Sequence, residues 1–238
     1  MFGKNEVRKP FPQEDGSLKV NSIWYTIQGE GPDAGRPAIF LRLSHCNLRC
    51  FFCDTEFESG VVSTADAISY EIILLSKRHA CTLVVITGGE PLLQNIIPLI
   101  DILNANHIAV SIETAGTVFL PGIPRLFSSF SVNKIVCSPK TPSLSPNLIP
   151  HISALKYIIR AGEVDEADGL PCISTQREGV VARIYRPCQN LPADTPIYVQ
   201  PMDEGGPGQQ ANIRKAAEVC MQHGYRLSMQ LHKLVGVD

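Results

Sequence analysis

What this chain of 238 residues lacks narrows its function before any motif is read. It has no long run of lysine or arginine, and its net charge is only −2. A nucleic-acid duplex is held by clustered cations, so no nucleic-acid partner is expected. No apolar run approaches the length of a membrane span; the best, residues 95–103, is interrupted by Pro98 and Asp101. Residues 1–19 are polar and charged, unlike a secretory leader. No membrane partner is expected, and a cytoplasmic location is. Without a leader, the eight cysteines read as reduced thiols and not as a disulfide framework. Charged residues make up 18% and hydrophobic residues 44%, the balance of an ordinary globular chain able to bury a sizeable core.

Five of the cysteines, Cys81, Cys137, Cys172, Cys188 and Cys220, are scattered and read as small buried hydrophobes. The other three stand together in Cys46-Asn47-Leu48-Arg49-Cys50-Phe51-Phe52-Cys53, a C-x3-C-x2-C spacing. A [4Fe–4S] cluster normally takes four cysteines, so three thiolates hold three irons and leave the fourth without a protein ligand. An open metal position can bind another molecule directly. Structural zinc is the alternative, but it usually needs four ligands, often as two C-x2-C pairs, and there is no second pair. His45 adjoins Cys46 and would have to fold back to share its metal.

This spacing resembles that of the radical S-adenosylmethionine (SAM) superfamily. The resemblance implies that the open iron chelates the amino and carboxylate groups of SAM, with Thr87-Gly88-Gly89-Glu90-Pro91 beside it. There the glycines let backbone approach the ligand, and Glu90 can accept from its ammonium group. Read alone, the same five residues are a helix start with an acidic first turn.

The rest of the chain alternates short apolar strands, polar tips and helices. Strands are expected at residues 22–27, 38–43, 81–86, 108–112, 134–137, 154–159, 197–199 and 225–229. Ser63-Thr64-Ala65-Asp66 reads as a helix cap, followed by an apolar face of Ile68, Ile72, Leu74 and Leu75 up to about Arg78. Pro91 suits the first turn of a second helix continuing to about Ala105, and a third covers residues 211–223, closed by Gly224. Alternation of this kind argues for a parallel α/β sheet, and the helices are too few for an eightfold barrel. The expected fold is an incomplete (partial) β/α barrel with parallel strands and its site at their C-terminal ends. Residues 1–18 are expected to form a flexible arm and residues 19–238 a single core domain. Residues 162–195 have no clear period and read as a long connection with room for one short helix. Gln28-Gly29-Glu30-Gly31 reads on the residues alone first as a plain hairpin loop, a turn where backbone comes close to something being the alternative.

More narrowly, most of residues 22–238 resembles the 7-carboxy-7-deazaguanine synthase family. The matching elements are Gln28-Gly29-Glu30-Gly31, Gly35-Arg36-Pro37, Phe40-Leu41-Arg42-Leu43, the cysteine loop with Asp54-Thr55, Thr87-Gly88-Gly89-Glu90-Pro91, Ser138-Pro139-Lys140, Gln200-Pro201-Met202 and residues 230–237. The resemblance implies a lyase that converts 6-carboxy-5,6,7,8-tetrahydropterin to 7-carboxy-7-deazaguanine with loss of ammonia, on the path to queuosine and related deazapurines. It implies that Cys46, Cys50 and Cys53 hold the [4Fe–4S] cluster. Phe52, Asp54, Gly89, Glu90, Ser138, Pro139, Lys140 and Gln200 would surround SAM. Ile27, Gln28, Gly29, Arg42, Thr87, His232 and the terminal Asp238 would surround the pterin, and Thr55 would give an oxygen to Mg2+. A homodimer and a one-electron reductant such as flavodoxin or ferredoxin are further implications. Two rival readings share the cysteine loop: a glycyl-radical-enzyme activase, against which the Gln28–Gly31 turn argues, and a non-catalytic metal-binding module. Three positions depart from the family pattern: His45 stands where a glycine is common, Ala115 for an asparagine and Leu231 for a threonine. The run Leu234-Val235-Gly236-Val237 is apolar, so the tail is expected to be packed.

Overall fold

The computed structural model describes residues 5–11, 15–128 and 131–237. Its strands are β1 (Leu18–Ile27), β2 (Pro37–Leu43), β3 (Val61–Ser63), β4 (Leu83–Gly88), β5 (Ala109–Thr114), β6 (Lys134–Cys137), β7 (Ala154–Ile159), β8 (Ile197–Pro201) and β9 (Arg226–Leu227). They form one sheet in the order β3-β1-β2-β4-β5-β6-β7-β8-β9, which does not close. From β2 to β9 every pairing is parallel. This is the open, partial-barrel arrangement expected, with one difference. β1 is antiparallel to β2, and its last residue Ile27 pairs with Pro37 at the start of β2. The Gln28–Gly31 turn thus leaves β1 beside the N-terminal end of β2, while the other polar tips follow the C-terminal ends of their strands.

Helices α1 (Ala65–His79), α2 (Ile97–Ala105), α3 (Ile123–Leu126), α4 (Gly206–His223) and α5 (Leu231–Val235) complete the fold. Side chains alternate across a strand, and β2 shows what that does here. Ile39, Leu41 and Leu43 are wholly buried and share a core with Ile68 and Ile72 of α1 and Leu99, Ile100 and Leu103 of α2. Phe40 and Arg42 point the other way and line a cavity. Beside Phe40, Ala38, Leu83 and Val85 make a small apolar cluster. No helix among the described residues is long and apolar enough to cross a membrane.

Several elements differ from the sequence reading. α1 starts where expected, with the Thr64 hydroxyl accepting from Ala67 N, but Leu74 faces solvent instead of joining the apolar face. Pro91 does not open a long helix. A single turn covers Pro91–Leu93, Gln94 is extended, and α2 begins three residues later at Ile97. The cause is Gln94 itself, which is buried. Its Oε1 accepts from Lys19 N at 2.6 Å, and its Nε2 donates to Lys19 O and Ser44 O, each at 3.2 Å. The side chain thereby adds to the ladder of β1 on the side where β2 ends at Leu43. Pro98 then falls in the first turn of α2, where a missing N–H is harmless. Residues 162–195 contain no helix; two isolated bridges, Val164 to Pro171 and Ile173 to Val181, organise them.

Both chain ends also depart from expectation. Over residues 5–11 the arm is hydrogen-bonded and not free. Val7 bridges to Cys46, Arg8 N donates to Cys46 O at 2.9 Å, and Asn5 Nδ2 donates to Leu48 O at 2.9 Å. The cysteine loop leaves these carbonyls unpaired, and the arm supplies their donors. At the other end α5 is formed, but Leu234, Val235 and Val237 are exposed, so the tail's apolar run does not pack.

Gln94→Leu leaves the partly buried Lys19 N–H without its partner. It is expected to cost about 1–3 kcal/mol of stability, read as a lower midpoint in urea at unchanged slope.

Candidate active site

The β2–β4 ladder does not end with the strands. Leu43 pairs with Gly88; beyond it Gly89 N donates to Leu43 O at 3.3 Å and Glu90 N to His45 O at 2.9 Å. This approach leaves no room for side chains. A Cβ on Gly88 would lie 2.1 Å from Leu43 O, and one on Gly89 would lie 2.1 Å from His45 O and 2.8 Å from Cys46 Cβ. The two glycines therefore bring the end of β4 against the cysteine loop, as well as onto the cavity surface. His45 adopts a φ of 74°, a left-handed conformation that histidine tolerates better than most side chains and glycine better still. Its ring is held edge-on against Phe11 at 5.3 Å, with Lys19 Nζ 3.2 Å from its Nε2.

A cavity of about 660 Å³ is lined by Cys46, Cys50 and Cys53. All three are free thiols. Burial pushes the Cys46 thiol up to about 12 and raises that of Cys53. Both are neutral at pH 7 until a metal displaces the proton. Among the described residues no three His, Cys, Asp or Glu side chains converge on a single metal ion. A set of three sulfur donors, with a glycine packed on Cys46, fits an iron–sulfur cluster.

Phe52, Asp54, Gly89, Ser138, Lys140 and Gln200 line the same cavity; Pro139 and Glu90 do not. Lys140 Nζ donates to Ser138 Oγ at 2.5 Å and lies 6.0 Å from the Phe52 ring centre. Burial lowers the pKa of its ammonium group. Glu90 is enclosed. Its carboxylate accepts from Leu92 N at 3.0 Å, Thr114 Oγ1 at 2.8 Å and Ala115 N at 2.8 Å. Burial raises its pKa despite these bonds. Glu90 thus ties the tip of β4 to the tip of β5. Because the bond at Ala115 uses the main chain, the departure there does not disturb it.

Ile27, Gln28, Arg42, Thr87 and His232 also line the cavity. Gly29 does not, and its role is steric: a Cβ there would sit 2.0 Å from His232 Nδ1. Leu231 N donates to Gly29 O at 3.1 Å, so the departure at Leu231 again acts through the main chain. Thr55 lines the cavity, and its hydroxyl donates to Asp54 Oδ1 at 3.2 Å. Asp238 lies outside the described residues.

The sequence reading missed a charged network on the cavity wall. Lys156 of β7 pairs with Glu30 and lies 3.9 Å from Glu113. Gln200 and Gln230 donate to Glu30 at 3.2 and 2.8 Å. Gln28 and Thr87 donate to Glu113, both at 3.1 Å. Burial alone would raise the Glu30 carboxyl, but the Lys156 ammonium, with bonds from Lys156 and Gln230, brings it from its ordinary 4.5 down to about 2. Burial would lower Lys156; the two glutamates raise it instead. The available signal was a lysine inside the apolar run Ala154–Ile159, alternating onto one face. Arg42 feels the Glu113 and Asp54 carboxylates through space but makes no ion pair with the network. Its guanidinium lies 4.9 Å over Trp24, which stacks on Phe40, and its buried Nε has no hydrogen-bond partner among the described residues.

An open, mostly parallel sheet with three thiols after β2 and a glycine pair at the end of β4 is the arrangement of a radical SAM protein. The model of the radical SAM superfamily matches residues 42–166, more than half of the chain. A 7-carboxy-7-deazaguanine synthase of Rhodospirillum rubrum is 43% identical, with 100% of each chain covered. One of Rickettsia prowazekii is 36% identical, covering 100% of this chain and 96% of its own. The chain belongs to the 7-carboxy-7-deazaguanine synthase family. The crystal structure of QueE from Escherichia coli shares the fold, with a TM-score of 0.62 at 22% identity over 90% of this chain and 94% of that one. A radical SAM protein takes a [4Fe–4S] cluster and SAM as cofactors, and the donor set and cavity described above fit both.

Lys156→Met removes the cation from a buried pair and is expected to cost about 3–5 kcal/mol at pH 7. Because Glu30 is depressed in the folded state, its stabilisation is present above pH 4.5 and is lost as pH falls toward 2. In the variant the buried carboxyl titrates above 4.5 instead, so the gap from wild type should shrink below that pH. Denaturant titrations of both proteins at pH 7 and pH 4 measure this.

Proposed function

We propose that this chain converts 6-carboxy-5,6,7,8-tetrahydropterin to 7-carboxy-7-deazaguanine and ammonia, in the formation of queuosine or related deazapurines. One observation supports this reading above others. A single cavity is lined both by the three thiols and by Ile27, Gln28, Arg42, Thr87 and His232, five of the seven residues that the family resemblance assigns to the pterin. Cys46, Cys50 and Cys53 would hold a [4Fe–4S] cluster, which when reduced would supply the electron for SAM cleavage and so the radical chemistry at C6 of the pterin. The protein positions and shields these partners. No net oxidation accompanies the reaction, because every substrate atom ends in the product or in ammonia.

Each wall of the cavity has a part in this reading. Arg42, stacked on Trp24 with an unpartnered Nε–H, is the cation for the substrate carboxylate. Gln28, Glu113 and Thr87 form a donor and acceptor row for the pyrimidine edge of the pterin. Trp24 and Phe40 offer an apolar wall to its ring. Ser138, Lys140 and Gln200 face SAM, with Phe52 and Asp54 beside them. Thr55 next to the Asp54 carboxylate provides oxygen donors of the kind Mg2+ prefers, and the substrate carboxylate would complete such a site. A flavodoxin or ferredoxin is the proposed electron donor, a homodimer the proposed assembly, and the cytoplasm, which keeps thiols reduced, the proposed location.

The test is an anaerobic assay of reconstituted protein with SAM, reductant and the carboxypterin. Product should appear only when all three are present; no product from fully loaded protein would refute the reading. Cys50→Ala should lose the cluster and at least 10³-fold in turnover, roughly the scale on which removing an essential catalytic group acts. Thr55→Ala should weaken the Mg2+ response of product formation while leaving SAM binding nearly intact. Superimposable Mg2+ titrations of the two proteins would remove Thr55 from the metal site.

A further inference from the structure

The cysteine loop is held from outside its own motif by the irregular connection 162–195. Phe51 N donates to Thr175 O at 3.0 Å, Arg49 N donates to Gln176 Oε1 at 2.7 Å, and Gln176 Nε2 donates to Cys50 Sγ at 3.1 Å. The loop fixes which way this amide points. A main-chain N–H can only donate, so the atom facing Arg49 is the oxygen and the atom facing Cys50 is the nitrogen. The second N–H of the amide goes to Thr175 Oγ1 at 2.7 Å, and that hydroxyl is itself bonded to Lys140 O at 2.7 Å. The three sulfurs are thus treated differently. Cys46 Sγ accepts from Leu48 N at 3.4 Å, and Cys53 Sγ faces the carbonyl of Thr55 at 3.8 Å. Among the described residues only the Cys50 sulfur takes an N–H from a side chain, and a substitution can remove that donor.

We infer that Gln176 sets the reduction potential of the cluster held by Cys46, Cys50 and Cys53, through its N–H to the Cys50 sulfur. The inference rests on the radical SAM reading of these three cysteines. Thiolate sulfur carries more negative charge when the cluster is reduced, so a fixed donor favours the reduced form and raises the potential. A raised potential eases loading of the electron that SAM cleavage requires. Gln176 touches neither substrate nor SAM in this account; it is a positioning residue acting through Cys50.

Two variants of the reconstituted full-length protein separate this role from loop anchoring. Gln176→Glu keeps an acceptor for Arg49 N and replaces the donor facing Cys50 with a carboxylate oxygen. Gln176→Met removes the donor without adding charge. Iron content is measured first, then the midpoint of the cluster couple by redox titration followed by electron paramagnetic resonance, without SAM or substrate. Both variants should load the wild-type complement of iron. Both midpoints should fall, more in Gln176→Glu, where the reduced fraction at a given poise drops about tenfold, or about 59 mV for a one-electron couple. Wild-type midpoints in both variants would overturn the inference. So would loss of the cluster from both, because Gln176 would then be an anchor of the loop and not a tuner of its metal. Wild-type protein that binds a cluster yet makes no deazaguanine would count against the substrate reading alone and leave the titration result standing.

Discussion

Hydrogen bonding between β2 and β4 runs past the ends of both strands, and the site is built outward from that overrun. Gly89 N to Leu43 O and Glu90 N to His45 O extend the ladder by two residues into the cysteine loop. Nothing larger than hydrogen fits at Gly88 or Gly89. Cys46 is therefore placed by sheet geometry and not by a flexible loop, which suits a metal ligand that must not drift. The next link is Glu90, whose carboxylate bonds to Thr114 and to the main chain of Ala115 and so fixes the tip of β5 relative to the tip of β4. From the other side the arm adds a main-chain bond to Cys46 and a side-chain bond to Leu48.

The inner face of the sheet solves an electrostatic problem. Glu30 and Glu113 both face a cavity that must accept a carboxylate-bearing ligand in the proposed reaction. Lys156, nearly buried, answers Glu30 and lies close to Glu113. Three glutamine amides and a threonine hydroxyl take up further carboxylate lone pairs. With the two glutamates supplied in this way, Arg42 is left without an ion-pair partner among the described residues. A guanidinium held on an aromatic face, with the Asp54 and Glu113 carboxylates near but its Nε–H unpartnered among the described residues, keeps a donor for an external anion.

The sequence displayed the chemistry better than its supports. The three cysteines, the glycine pair and the Gln28–Gly31 turn carry their signal in residue type and spacing, and the strands from β4 to β8 show as apolar runs between polar tips. Side chains that imitate main chain leave no such trace. Gln94 breaks an apparently continuous helix because its amide substitutes for a strand, and nothing local distinguishes it from a helical glutamine. Gln176 sits in a stretch without period, and its partners in the cysteine loop lie more than a hundred residues earlier in the chain. The direction of β1 was also hidden, because an amphipathic strand reads the same whichever way it pairs. His45 is a middle case. The family resemblance marks His45 as a departure from glycine, but the left-handed backbone there needs the structure.

The distance along the chain between Cys50 and Gln176 sets an order of events during synthesis. The three cysteines leave the ribosome early, while the segment that bonds to Cys50 and Arg49 is made 126 and 127 residues later. At about 5–20 residues per second the interval is roughly 6–25 s. β7 and β8, which carry Lys156 and Gln200, also follow the cysteines. A nascent chain therefore displays bare, reactive thiols well before the pocket around them exists. Faithful metal loading then belongs after release of the finished chain, or requires that something shield the motif in the meantime.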